Sequence, residues 1–372
     1  MDSDRPAAAR TETEKSPMEL FSSITIHGLA NSPDGQPVPY TLERGTSFPP
    51  QLFIYASKAQ FEWPFDMSPQ TVPSSGMHLE LELSDFIERG RCGHVYEVRV
   101  IGVSARPDLP TSPPNFPLPP LCIKLAEPNR LRCIAREAWF YEKLGEGSVQ
   151  GTAVPRGFGF YTAQCALSQV IPWRERNWEY HDEVAWVRRF LQRRGYSDES
   201  ALRTLPPDSP VWTQLDDAEV DRHDWLKLEP EEDREDFADD EKGSNMNSIW
   251  KHWAWKICDP QDIGIIVMEK LGPGIEGNCH NGKLDKEQGK EVRAVLHDVL
   301  SAKIFHYYDV RPEQFVEATT SEICPRHGYA HKWRVLDFDR CNALSSDPLN
   351  LRRAAEAIER IPDNTTRFYF SA

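Results

Sequence analysis

A chain of 372 residues with 39% hydrophobic content is long enough for two ordinary domains or one large domain with insertions. Its formal net charge of -15 excludes a general nucleic-acid binder, because phosphate contact needs a basic face. No apolar stretch reaches about 18 residues, so no membrane partner is expected, and residues 1–16 are polar with no apolar leader core, which points to an intracellular protein of the cytoplasm or nucleus.

Residues 1–17 are charged and alanine-rich without periodicity and are expected to be a disordered tail. Residues 18–78 read as an N-terminal extension packing on the domain after it, with Ser23–Ile26 and Leu52–Tyr55 as short strands between Pro, Gly and Ser clusters. From Leu79 the pattern changes. Leu79–Leu83 alternates as a half-buried strand does, and a second alternating strand runs from Val95 to Val103. Gly90 and Gly93 lie between them. Two glycines at such a turn let a backbone approach a ligand, phosphates in particular, though taken alone a hairpin with a bulge is the preferred reading of them.

A proline-rich loop over 104–120 precedes the apolar strand Leu121–Leu125, which carries one lysine, Lys124. A lysine in such a run snorkels to an edge or meets an anion. Leu131, Ile134, Ala135, Ala138 and Tyr141 then mark one face of a helix that ends at Gly145. Glu137 sits beside that face, where an ordinary solvated carboxylate would also sit. Val154–Tyr161 and Ala166–Ile171 suggest two further strands. Residues 174–248 read as an insertion. Its segment Asp216–Glu241 holds fourteen acidic and three basic residues, a composition that favours a solvated, disordered run over a docking site. The tryptophans of 249–257 read as packing residues.

Ile263–Gly272 is a buried strand running into a Gly/Pro turn, and Val292, Val295, Leu296, Val299, Leu300 and Ile304 define an amphipathic helix. It leads into Phe305–Phe315, which contains Asp309, Arg311 and Gln314; the short hydrophobic run Val335–Leu336 then delivers Asp337 and Asp339. Carboxylates in apolar surroundings need a partner, a bound cation or a proton to be moved. Between these aspartates Cys324, His327 and His331 form C-x₂-H-x₃-H, a spacing zinc can use. With only Cys341 as a guess for the fourth ligand, a loop with satisfied polar side chains is the preferred reading. The eight cysteines are scattered singly, as expected of reduced buried thiols. Pro348–Ile361 closes the chain as a last helix, with Pro348 at its first position and Ser346 or Asp347 as its cap.

Taken in order, the glycine hairpin, strand lysine, helix glutamate, buried strand, long helix, aspartate loop and second aspartate resemble the protein-kinase-like superfamily over about residues 80–345. The resemblance implies an α+β fold of two lobes: an antiparallel β-sheet N-lobe with one main helix, and a mainly helical, truncated C-lobe. The N-lobe would span 79–271, interrupted by the acidic insertion, and the C-lobe 272–372. ATP and Mg²⁺ are the implied cofactors. Gly90 and Gly93 match the second and third glycines of G-x-G-x-x-G, with Val95 following them, and Lys124 matches the phosphate-binding lysine. Glu137 matches its helix partner, and Met268–Leu271, with Glu269 and Leu271, would hold the adenine by their backbone. Asp309 matches the catalytic aspartate, Arg311 replaces the phosphate-contacting lysine, and Asp337 with Gln314 would hold the metal.

The departures are specific. Glu88 replaces the first glycine, H-R-D reads Tyr307-Tyr308-Asp309, Gln314 replaces asparagine, and D-F-G reads Asp337-Phe338-Asp339. Only 35 residues follow Asp337, which leaves no room for the usual peptide-docking helices. Two readings come from the resemblance. One is a phosphotransferase moving the γ-phosphate of ATP to a protein Ser/Thr or a small-molecule hydroxyl. The other is a catalytically impaired pseudokinase serving as a nucleotide-binding or scaffold module.

Overall fold

The structure is a computed structural model that describes residues 17–47, 52–53, 76–90, 92–126, 131–164, 169–171, 262–275, 284–305, 310, 312–339, 341–344 and 348–361. The chain divides into two compact units, Met1–Leu167 with Cys258–Ala372, and Ser168–Ile257. The strands and helices named here all belong to the first. Residues 1–16 of the expected tail, residues 166–168 of the strand expected over 166–171, the acidic insertion and the tryptophan segment lie outside the described residues.

Seven strands close into a barrel. They are β1 (Phe21–Asn31), β2 (Pro37–Arg44), β4 (Met77–Arg89), β5 (Gly93–Ser104), β6 (Leu121–Ala126), β7 (Gly157–Gln164) and β8 (Asp262–Glu269), in spatial order β1-β2-β7-β8-β6-β5-β4. The short β3 (Leu52–Phe53) lies elsewhere. All neighbouring pairs are antiparallel except β1 with β4, which run parallel and shut the barrel. Closure leaves no unpaired edge, the usual hazard of an open sheet. The parallel seam is stitched by side chains as well: Ser23 Oγ lies 2.8 Å from His78 Nδ1 and His27 Nε2 2.6 Å from Glu80 Oε1. Phe21, Ile24, Leu42, Leu79, Ile123 and Ile265 are fully or almost fully buried.

This architecture overturns the expected two-lobed fold with an antiparallel sheet and a mainly helical C-lobe. The segment read as an extension supplies β1 and β2, which cover both free edges of the sheet formed by β4 to β8 and turn it into a closed mixed barrel. After Leu271 the described residues contain two α-helices, α2 (Lys286–Ser301) and α3 (Pro348–Glu359), and four short strands. Those strands are β9 (Ile304–Phe305), β10 (Phe315–Glu317), β11 (Trp333–Val335) and β12 (Asn342–Leu344). With α1 (Leu131–Gly145) this makes three α-helices among the described residues.

Helix α1 packs on the barrel at β6, β7 and β8. Two glycines allow the close approach. A Cβ at Gly264 would lie 1.8 Å from Leu131 Cδ1, and one at Gly93 would lie 2.5 Å from the Leu125 carbonyl oxygen and 3.4 Å from Ile134 Cδ1. Helix α2 begins with a capping box: the Asp285 carboxylate accepts from the Gln288 backbone N–H at 2.8 Å, and the Gln288 amide oxygen accepts from the Asp285 N–H at 2.9 Å. Its buried stripe includes the predicted Val292, Val295, Leu296, Val299 and Leu300, whereas Ile304 falls in β9. Helix α3 starts at Pro348 as the sequence suggested; Ser346 and Asp347 lie outside the described residues.

Strands β10 and β11 form an antiparallel pair, Phe315 opposite Val335, extended by a bond from the Leu336 N–H to the Gln314 carbonyl at 2.8 Å. The long loop between these strands holds Cys324, His327 and His331. The ends of the pair therefore set Gln314 beside the start of the Asp337 segment.

Candidate functional site

Four side chains from four separate pieces of chain meet where α1 crosses the barrel. Lys124 comes from the centre of β6, in register with Val95 of β5 and Ile266 of β8. Side chains directly opposite one another in a sheet share a face, so Val95, Lys124 and Ile266 form one row. The alternate residues Ile123 and Leu125 are fully buried on the other face. Lys124 Nζ donates to Glu137 Oε2 of α1 at 2.6 Å and to Asp337 Oδ1 at 3.3 Å. The second Asp337 oxygen, Oδ2, lies 3.2 Å from Gln314 Nε2.

Burial distinguishes the members. Glu137 and Lys124 have 2% and 9% of their side chains exposed, whereas Asp337 has 40%. The inner pair is a buried ammonium–carboxylate contact, and Asp337 is the member turned toward solvent. Burial lifts the Glu137 carboxyl to about 7 against the opposing pull of Lys124, with Asp337 and Asp339 adding to the lift. Burial alone would lower the Lys124 ammonium. The carboxylates of Glu137, Asp337 and Asp339 outweigh it and hold Lys124 well above its ordinary value.

The Asp337 backbone has φ of +68°, a left-handed conformation that Asp tolerates better than most residues. The next residue anchors it. Phe338 is fully buried, with its ring 5.4 Å from Tyr141 and 6.3 Å from Phe140 of α1. Asp339, 3% exposed, accepts from Cys92 Sγ at 2.8 Å. The helix that supplies Glu137 thus also seats the Asp337 segment.

Among the other sequence-derived candidates, Gly90 and Gly93 close the β4–β5 hairpin, the Gly90 N–H donating to the Gly93 carbonyl at 2.9 Å. Gly93 is buried against β6 and Gly90 is exposed. Leu271 is half-buried in the segment after β8.

Glu269 belongs to a different network. Its side chain is fully buried, 2.6 Å from Arg334 Nη1 and 3.4 Å from Arg156 Nη1, and it accepts the Arg156 backbone N–H at 3.1 Å. Its own N–H donates to the Arg156 carbonyl at 2.9 Å. Sequence reasoning passed over Arg334 and Arg156 because the contact joins residues 65 and 113 positions from Glu269. An arginine in the short hydrophobic run Trp333–Val335 was the available signal. Asp309 and Arg311 lie outside the described residues; Val310 between them is fully buried.

Among the described residues no helix is long and apolar enough to cross a membrane. The five described cysteines, Cys92, Cys122, Cys133, Cys324 and Cys341, are buried with free thiols.

No protein-family model matches the chain, and no curated protein matches it. Among solved structures the chain is similar to the crystal structure of a kinase domain, with 8% sequence identity and a TM-score of 0.32. The match covers 71% of this chain and 51% of that one, so the chain spans about half of the structure it resembles. At this distance the functional reading rests on the site itself.

Proposed function

We propose that the Lys124–Glu137–Asp337–Gln314 site binds ATP with Mg²⁺ and serves transfer of the γ-phosphate to a hydroxyl of a protein or small molecule. One observation carries the reading: a buried lysine is fixed by a buried glutamate while touching a solvent-facing aspartate 213 residues away in sequence. A fixed ammonium beside an exposed carboxylate is an arrangement for a ligand that carries anionic oxygens and brings a cation. Phosphoryl transfer depends mainly on such positioning and on neutralising charge.

The donor set suits Mg²⁺, which is bound through one or two carboxylates together with substrate phosphates. The Asp337 carboxylate and the Gln314 amide oxygen are both hard donors, and the two side chains already touch at 3.2 Å. When bound, the ion neutralises phosphate charge. Lys124 binds and orients the phosphates, Glu137 positions Lys124, and Phe338 holds the Asp337 segment against α1. Asp309 is the residue assigned to accept the hydroxyl proton, and Arg311 to contact the γ-phosphate.

A second reading, nucleotide binding without turnover, is favoured by one feature. Both Asp337 oxygens are already engaged by protein groups, Lys124 on Oδ1 and Gln314 on Oδ2. Thermal stabilisation by ATP with and without Mg²⁺, followed by single-turnover phosphate release, separates the readings. Mg²⁺-dependent stabilisation is expected in the wild type and not in Asp337→Asn. Lys124→Met removes one charge-assisted contact of about 1.5–3 kcal/mol and weakens binding by roughly tenfold or more. Turnover lost in Asp309→Asn supports transfer, and binding without turnover supports the second reading. A wild-type protein that is not stabilised by nucleotide in either condition overturns both.

A further inference from the structure

The loop between β10 and β11 ends in a second cluster of chemistry-bearing side chains, distinct from the proposed nucleotide site. Cys324, His327 and His331 were visible in the sequence as C-x₂-H-x₃-H without a fourth partner. The fold supplies that partner from another element: Asp298, in the last turns of α2. One donor atom from each of the four residues lies within 4.8 Å of all the others. We propose that Asp298, Cys324, His327 and His331 bind a zinc ion that fastens the β10–β11 loop to helix α2.

The donors converge on one point. Asp298 Oδ2 lies 2.8 Å from His331 Nε2, 3.0 Å from Cys324 Sγ and 3.3 Å from His327 Nδ1. Cys324 Sγ lies 3.5 Å from His327 Nδ1. A tetrahedral zinc with bonds of about 2.0–2.3 Å keeps its donors roughly 3.3–3.8 Å apart. Shifts of about half an ångström or less bring these four separations to that spacing. One thiolate, two imidazoles and one carboxylate are a donor set for zinc; Mg²⁺ and Ca²⁺ take oxygens.

The loop is shaped to present these donors. The Cys324 N–H donates to the Tyr329 carbonyl at 2.9 Å, and the Gly328 N–H to the Cys324 carbonyl at 2.8 Å. Gly328 has φ of +73°, and Ile323 bridges Ala330 across the base of the turn. This tight knuckle brings the sulfur and both rings to one side. Tyr329 flanks the rings at 5.6 Å from His327 and 5.2 Å from His331.

Two further observations separate this cluster from an ordinary polar loop. His331 Nδ1 lies 3.1 Å from Glu291 Oε1, which is seven residues before Asp298 on the same face of α2. Zinc-bound histidines characteristically give their second ring N–H to such a carboxylate, which fixes the other nitrogen as the ligand. Glu291 is itself held by the Lys332 backbone N–H at 2.8 Å. In addition, Asp298 Oδ1 is buried without a hydrogen-bond partner; Arg326 Nη1 is 3.7 Å from it. Four protein donors leave no open position, so the ion is structural. It secures the loop at one end of the β10–β11 pair, whose opposite end carries Gln314 and Asp337 side by side.

The test is made on the full chain purified without chelator. One zinc per chain is expected by elemental analysis. After the metal is stripped, titration with Co²⁺ should give the visible bands of a tetrahedral site and a near-ultraviolet thiolate-to-cobalt band. Cys324→Ser should abolish that thiolate band, and His327→Ala should remove stoichiometric zinc. Glu291→Gln, which spares the four ligands, should weaken zinc binding by about 10–100-fold. The cobalt titration of the wild type needs no substitution, so it decides even if a variant fails to fold. Absence of stoichiometric zinc together with no tetrahedral cobalt spectrum overturns the proposal. So does bound zinc whose amount and cobalt spectrum are unchanged in Cys324→Ser and His327→Ala.

Discussion

Replacing Arg334 with Met tests whether Glu269 is held by the fold or kept for a ligand. The Glu269 side chain is fully buried and Arg334 is 1% exposed. The substitution removes the 2.6 Å contact to Oε2 and leaves a carboxylate that cannot reach water. Breaking a buried ion pair by deleting one partner costs about 3–5 kcal/mol. Here the lower end applies, because Oε2 keeps the Arg156 N–H at 3.1 Å and Oε1 keeps Arg156 Nη1 at 3.4 Å. A loss of about 3 kcal/mol corresponds to a fall in Tm of roughly 6–12 °C, at about 2–4 °C per kcal/mol for domains of this order of size. Urea unfolding of Arg334→Met, Glu269→Leu and the double variant measures it. The double variant removes both charges and should recover much of the loss. The reasoning fails if Arg334→Met alone stays within about 1 kcal/mol of wild type, or if the double variant is as unstable as the single.

Two other outcomes come from the site and its frame. Gly93→Ala should destabilise by about 1–3 kcal/mol, because its Cβ would meet the Leu125 backbone oxygen at 2.5 Å and push β5 from β6. Gly90→Ala, whose Cβ would have the Gly93 oxygen as its nearest neighbour at 3.7 Å, should stay within about 0.5 kcal/mol. Equal effects in urea unfolding would show that the hairpin is not pressed onto β6 as described. The second outcome concerns pH. Burial raises the Glu137 carboxyl from 4.5 to about 7, so between those values the folded chain holds a proton that the unfolded chain has released. The stabilisation from this shift is complete below about 4.5 and is lost as pH rises through about 7. The stability of wild type relative to Glu137→Gln should therefore decline across that window. A difference that is flat or rises with pH refutes the described environment of Glu137.

Local pattern determined the elements well. Alternation marked the first part of β4 and most of β5, the apolar run marked β6, helical spacing marked α1 and α2, and a proline at the first position marked α3. It could do so because side-chain periodicity and end signals are properties of neighbouring residues. The lysine in β6, the glutamate on α1 and the aspartate after β11 were picked out for their chemistry, and the tertiary structure brings those three together.

Only the tertiary structure decided the architecture and the partners. Nothing local in Phe21–Asn31 says that it pairs in parallel with Met77–Arg89 and closes a barrel, because pairing is chosen by distant strands with complementary faces and edges to cover. For the same reason the partners of the Glu269 side chain, Arg334 and Arg156, were not legible in its own strand. Cys324, His327 and His331 lacked a fourth donor because Asp298 lies 26 residues from Cys324 on a separate helix. Sequence spacing displays the donors of one loop; it takes the packing of that loop on α2 to bring in a carboxylate from outside it.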